Sequence, residues 1–335
     1  MMTRRNYESS YGNYHRAVLD EFFQLRAQHG ADHSALRTKR GVGRQFVFAS
    51  AHRRRAQRIL RSRGNQSRSG AHSRRHGQNC CGTRQGEIDT GKNATPYLIQ
   101  AVLKGSDAVA IVAQTANPVY SLIARPEIKN FAHLKGKVLG LSTPGDTITL
   151  SSVRLLAHKG LNASDFTAKA VVGTGARFDC LKSGECVAVP MGQPEDISAI
   201  KQGYRRLGYT YEAGADLIFN VDMTRRGWGE KNKETLRHFV RAFAAAYEFM
   251  NNPKNRAEVT SVVKDSLKVS EEIATEIFAP YMEPEKNVLP KRGELGVKAI
   301  NQVLALMAEA GVVPTPVPPA ERFVDLQYLR AAGIR

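Results

Sequence analysis

From about Gly86 to the C-terminus, short apolar runs alternate with segments of helical apolar period, and this alternation limits the fold more than any other feature. Strands are expected at 108–113 and 119–124, with a turn at Asn117-Pro118 between them, and again at 137–141, 168–172, 187–189 and 217–221. Helices are expected at 96–104, 148–159 and 176–183. Beyond 221 the text is helical, at 231–251, 270–281, 297–310 and 321–332. Phe239, Phe243, Tyr247 and Met250 fall on one face of the 231–251 segment, as a core-facing stripe would. Strand–helix alternation of this kind predicts an α/β protein whose sheet is mostly parallel. No internal repeat is visible.

The first 85 residues lack that rhythm. One helix is expected at 14–28, with Val18, Phe22 and Leu25 on one face. After it come Arg53, Arg54, Arg55, Arg58, Arg61, Arg63, Arg68, Arg74 and Arg75 among Ser, Gly, Gln, Asn and His. Such text offers too little apolar surface to offset the entropy of ordering the chain. Residues 1–90 hold 18 Lys/Arg against 6 Asp/Glu, whereas 91–335 hold 31 against 25, so most of the net charge of +18 belongs to the first segment. Residues 1–85 are therefore expected to form a basic, low-order segment. Arginine clusters without interleaved aromatics give non-specific phosphate contact, not specific nucleic-acid recognition.

No apolar run approaches the roughly 18 residues of a membrane span. No apolar stretch follows Arg4 and Arg5, as a secretory leader requires, so the chain read as written is expected in the cytoplasm. His72, His76, Cys80 and Cys81 are metal-ligand types at tolerable spacing, but nothing around them could hold a second shell, and no metal is expected. Gly86-Glu87-Ile88-Asp89-Thr90-Gly91-Lys92-Asn93 nearly spells a P-loop. It ends in Asn where Ser or Thr must reach magnesium, and no apolar strand precedes it, so it is not read as a nucleotide site. Cys180 and Cys186 lie six apart. They would pair in an oxidising compartment or pack as small residues in a reducing one.

Three loops each follow an expected strand and precede an expected helix. The first is Ser142-Thr143-Pro144-Gly145-Asp146-Thr147, where Thr143 suits an N-cap, Pro144 the first helical position and Asp146 a box-like start. The second is Gly173-Thr174-Gly175-Ala176-Arg177, small residues that admit close approach, with a cation able to pair an anion. The third is Pro190-Met191-Gly192-Gln193-Pro194. Each taken alone reads equally as an ordinary strand-to-helix turn. Together they point to one sheet edge, where open α/β sheets bind ligands. His133, His158 and His238 are scattered, no nucleophile stands beside a base, and neither catalysis nor a cofactor is expected.

The order of several short segments carries a resemblance. They are Gly86-Glu87-Ile88-Asp89, Asn93-Ala94-Thr95-Pro96, Ala113-Gln114, Ser121-Leu122-Ile123-Ala124, the 131–140 segment, the loop at 142–147, and Glu321-Arg322-Phe323-Val324-Asp325-Leu326-Gln327-Tyr328-Leu329. In these the chain resembles the periplasmic substrate-binding proteins of ABC transporters in the sulfonate/nitrate/taurine group, which share their fold with thiamine-pyrimidine-synthase-like enzymes. The resemblance implies a two-lobed periplasmic-binding-protein fold. Lobe two would span 136–215, with 131–140 as the crossing segment before it. Lobe one would comprise 86–135 and 216–335, and would be incomplete at its N-terminus, because its first strands should lie where the basic segment stands. The abrupt change of text near residue 86 suggests out-of-frame translation of 1–85.

The resemblance further implies a monomer that captures a small polar or anionic solute in the periplasm and delivers it to an ABC permease. Asn93, Thr95 and Pro96 would face the solute from lobe one. Thr143, Gly145, Asp146 and Thr147 would face it from lobe two, with Thr174, Gly192 and Gln193 beside them and Arg177 as an anion partner. Two alternatives remain. One is a thiamine-pyrimidine-synthase-like enzyme, which needs an active-site His and a clustered Cys motif that Cys80-Cys81 matches poorly. The other is a degenerate paralogue whose basic arm binds nucleic acid non-specifically.

Overall fold

The computed structural model describes residues 89–214 and 217–334. The expectations for a helix at 14–28, the arginine clusters and His72, His76, Cys80 and Cys81 lie outside the described residues.

Eight consecutive buried residues, Ala108–Thr115, form strand β2. Burial without alternation marks a strand covered on both faces. It pairs with β8 (Asn220–Arg225), which in turn pairs with β1 (Thr90–Ala94). Both pairings are antiparallel and give the order β1-β8-β2. Helix α1 (Thr95–Leu103) follows β1 directly, with Pro96 in its first turn, where a missing N–H costs nothing. Two helices further along the chain are α5 (Arg226–Lys231) and α6 (Lys233–Asn251). In α6, Phe243, Tyr247 and Met250 are buried as the stripe predicts, and the Tyr247 hydroxyl donates to the carbonyls of Ala113 and Gln114 on β2. Helices Arg256–Leu267 and Glu271–Phe278, and later Val297–Glu309 and Gln327–Ala331, complete this lobe.

The second sheet has five strands: β3 (Tyr120–Ala124), β4 (Val138–Leu141), β5 (Thr167–Ala170), β6 (Ala188–Gly192) and β7 (Arg205–Tyr209). Their order is β5-β4-β6-β3-β7. β4 runs parallel to both β5 and β6, while β3 is antiparallel to β6 and β7. Helix α2 (Thr147–His158) follows β4, α3 (Thr174–Ser183) follows β5 and α4 (Glu195–Lys201) follows β6. Cys180 at the end of α3 is bonded to Cys186 ahead of β6, with their Cα atoms 5.2 Å apart.

The whole is the bilobed architecture expected, with five differences. The first sheet is antiparallel and the second mixed, with the parallel arrangement confined to β5-β4-β6. β3, within the segment expected in lobe one, hydrogen-bonds inside the second sheet. The chain therefore crosses before Tyr120 and returns before Asn220. The two crossing segments lie side by side: Phe219 N donates to the carbonyls of Thr115 and Ala116, and Leu217 N to Asn117 Oδ1. Residues 131–140, expected to make the crossing, instead hold the short 3-10 turn Phe131–Leu134 and the start of β4, because Leu134 and Leu139 belong to the second lobe's core. The strand expected at 217–221 is displaced to β8, since Leu217 and Ile218 are spent on the buried crossing. The helix expected at 321–332 is interrupted because Val324 bridges to Ala110 at the edge of β2. Ala110 N donates to Phe323 O and Asp325 N to Ala110 O.

Candidate functional site

The three loops expected to gather at one sheet edge follow β4, β5 and β6, and β4 lies between the other two and parallel to both, so the loops emerge on the same side. In the first loop, Asp146 N donates to Thr143 O, turning the chain through Pro144 and Gly145. Gly145 has φ +77°, and a Cβ there would stand 2.5 Å from Cγ2 of Val312 on the first lobe. The N-cap of α2 is Asp146, not Thr143: its Oδ1 accepts from Thr149 N at 2.9 Å. The turn at 143–146 delays the helix start, which frees the Thr143 side chain to share a hydrogen bond with Tyr97 of α1. Leu150 of α2 and Ile197 of α4 pack into the first lobe's core, which brings these helix starts against that lobe.

In the second loop Arg177 is 1% exposed and committed to its own lobe. Its Nε donates to Pro190 O at 2.7 Å, Nη1 to Val171 O at 3.4 Å and Nη2 to Thr174 Oγ1 at 3.2 Å. Thr174 thus orients Arg177. In the third loop Gly192 pairs with Tyr120 in the β6–β3 ladder. Gln193 beyond it is 5% exposed, and neither its Oε1 nor its Nε2 finds a hydrogen-bond partner. The same holds for Oγ1 of Thr147, also 5% exposed, and for the buried Oε2 of Glu195.

In the first lobe, Asn93, Thr95 and Pro96 lie where β1 passes into α1, all buried. Asn93 Oδ1 accepts from Ala94 N at 2.9 Å, and Thr95 donates to Phe219 O through both N and Oγ1. These bonds tie the start of α1 to the return crossing. Tyr97, one turn on, reaches the second lobe.

Five residues that sequence patterns did not single out have linked charges and hydroxyls around these loops. Tyr120 feels the charges of Arg177, Asp146 and Glu195 and the neighbouring Tyr97, and burial pushes its hydroxyl well above the usual range. Tyr281 is raised in the same way, chiefly by burial, and lies near Tyr120 and Asp196. Tyr97 is raised by burial and then by Asp146. Burial, reinforced by Asp196, lifts the Glu195 carboxyl to about 7 against the pull of its own backbone N–H and of Arg177. Asp196 is balanced locally: it accepts from Ser121 Oγ at 2.5 Å and pairs with Arg206 at 3.1 Å, although burial still raises it. The tyrosines carried no motif, and Glu195 stands just past the loop that did.

Among the described residues no group of three or more His, Cys, Asp or Glu is placed to hold a metal, and no helix is long and apolar enough to cross a membrane. Two α/β lobes, each with its own sheet and joined by a double crossing of the chain, define the periplasmic-binding class of fold. The family model described as NMT1/THI5 like matches residues 82–256, and the chain belongs to that family. No curated protein matches by sequence. Among solved structures, the alkanesulfonate-binding protein SsuA from Xanthomonas axonopodis pv. citri, bound to MOPS, is similar at 18% identity and TM-score 0.58, covering 74% of this chain and 84% of that one. The periplasmic aliphatic sulphonate binding protein SsuA from Escherichia coli matches at 17% identity and TM-score 0.57, covering 75% and 79%. A cysteine-to-serine mutant of DSZB, in complex with biphenyl-2-sulfinic acid, matches at 14% identity and TM-score 0.58, covering 77% and 89%. A second DSZB structure that also matches is described as a desulfurization enzyme, so the fold is shared by binding proteins and an enzyme.

Proposed function

We propose that this chain is the solute-binding component of an ABC importer, capturing a small polar solute between its lobes. The observation that carries this reading is the set of buried polar atoms without partners: Thr147 Oγ1, both amide atoms of Gln193 and Glu195 Oε2. Burying such a group unpaired costs about 1–3 kcal/mol, so three such residues at one sheet edge call for a ligand that pairs them. The solute-facing set is Thr143, Gly145, Asp146, Thr147, Thr174, Gly192 and Gln193 from lobe two, with Asn93, Thr95 and Pro96 shaping the wall of lobe one. Arg177 acts from behind, as a fixed charge holding the second and third loops together. Lobe two runs from Tyr120 to about residue 214, and lobe one comprises the flanking chain. The partner is an ABC permease, the location the periplasm, and the working unit a monomer.

The test is thermal shift and titration calorimetry on the full chain with sulfonates, carboxylates, nitrate, amino acids, amines and pyrimidines. A cognate solute raises Tm in proportion to the logarithm of its concentration. Thr147→Val and Gln193→Leu each weaken binding about tenfold, as expected when a ligand hydrogen bond is lost, and leave the fold in place. If every solute leaves Tm unmoved, the reading is wrong.

A further inference from the structure

We infer that the solute carries a cationic head group, and that Asp146 and Glu195 receive it; this rests on the solute-binding reading above. The charges acting at Tyr120, where both lobes meet, are two carboxylates, Asp146 and Glu195, and one guanidinium, Arg177. That guanidinium already donates through all three nitrogens to Pro190, Val171 and Thr174.

A helix start ordinarily attracts an anion through its open N–H groups and its dipole. At the starts of α2 and α4 the protein's own carboxylates take that place, while the starts of α1 and α3 carry no acidic residue. Asp146 Oδ1 takes the N–H of Thr149, Asp196 Oδ1 takes that of Ile197, and the Glu195 carboxylate takes its own backbone N–H. At those two starts an incoming sulfonate or carboxylate would meet the charge of Asp146 and, above about pH 7, that of Glu195 as well. A protonated amine or amidinium would meet acceptors.

Two further observations mark the same place as a ligand site. Gln193 and Thr147, each 5% exposed, hold polar atoms there without partners. Glu195 Oε2 is itself buried and unpartnered, an acceptor with no donor supplied by the protein. A donor-rich solute satisfies Oε2 of Glu195, Oε1 of Gln193 and the hydroxyl of Thr147. Asp196 does not compete for it, since Arg206 and Ser121 already hold that carboxylate.

The experiment compares size-matched probes of opposite charge on the full chain by thermal shift and calorimetry: benzylammonium with benzenesulfonate, 2-hydroxyethylammonium with ethanesulfonate, and methylguanidinium with nitrate, with benzyl alcohol as the neutral control. At least one cation is expected to raise Tm saturably while its matched anion does not. Asp146→Asn, which keeps the helix cap, and Glu195→Gln, which keeps the shape, are each expected to weaken that cation at least tenfold. Far-UV circular dichroism and the ligand-free Tm show whether each variant is folded, and the two variants are independent readouts. Binding of the anions or of the neutral probe alone overturns the charge assignment and leaves the solute-binding reading standing. Cation binding unchanged in both variants overturns it as well, by placing the cation elsewhere. If no probe binds, and no solute of the wider panel does, both readings fall together.

Discussion

Glu195 is the residue at which chemistry and stability meet. Folded, its carboxyl holds its proton up to about pH 7, chiefly because burial penalises the charge. Unfolded, it ionises near the ordinary glutamate value of about 4.3. The folded state therefore binds more protons between those values, and stability falls as pH rises through that window. Asp196 and Asp222 are raised in the same direction by burial, and they add to the slope. Tm of the ligand-free protein should thus be higher near pH 5 than at pH 8, and Glu195→Gln should flatten part of that decline. A Tm–pH profile as steep in the variant as in the parent would remove Glu195 from the account. None of this was legible beforehand: a glutamate after Gln193-Pro194 has no pattern, and its environment comes from Tyr120 and Arg177, distant in sequence. Arg177 was legible as a basic residue at the right loop, but not its orientation, which depends on where the Pro190 and Val171 carbonyls fall.

At the scale of elements, the strand-to-helix loops were the best-read part of the chain. Strand, small or capping residues, then helical period fixes a turn from local chemistry alone, and three such turns on parallel strands must share an edge. The misplaced N-cap shows the limit. Thr143 and Asp146 both suit the position, and the choice is made by Gly145, whose backbone passes too close to Val312 for a side chain. Asp146→Ala should cost about 1 kcal/mol in chemical denaturation and Asp146→Asn little, as the cap bond to Thr149 demands. Equal losses in the two variants would mean that charge, not capping, holds the helix start. β1 and β7 escaped notice for a related reason. Thr-Gly-Lys-Asn-Ala and Arg-Arg-Leu-Gly-Tyr lack strand composition and are extended because β8 and β3 offer them an edge. The tail carries a genuine helical apolar period, but Val324 is drawn to the edge of β2 and breaks it.

For the molecule as a whole, two lobes were legible from alternation and segment order, while the crossing points were not. Val119–Ala124 and 217–221 are apolar runs of the same kind, and only pairing decides that the first opens the second sheet and that the beginning of the other is a bridge between lobes. The two crossings lie hydrogen-bonded to one another through Asn117, Thr115, Ala116, Leu217 and Phe219. Seen in order of synthesis, lobe two is thus an insertion whose two ends abut. Its five strands are all made before β8 exists, and β2 must wait for β8 across the whole of that insertion. Closing so long a loop costs less once the inserted lobe has already drawn its ends together. Pulsed hydrogen exchange during refolding should accordingly protect β3, β4 and β6 before β2 and β8, and simultaneous protection would contradict it. The lobe that holds the longest buried strand, β2, is then the one completed later, and the nascent chain presents a finished second lobe before β1 and β2 have β8 to join them.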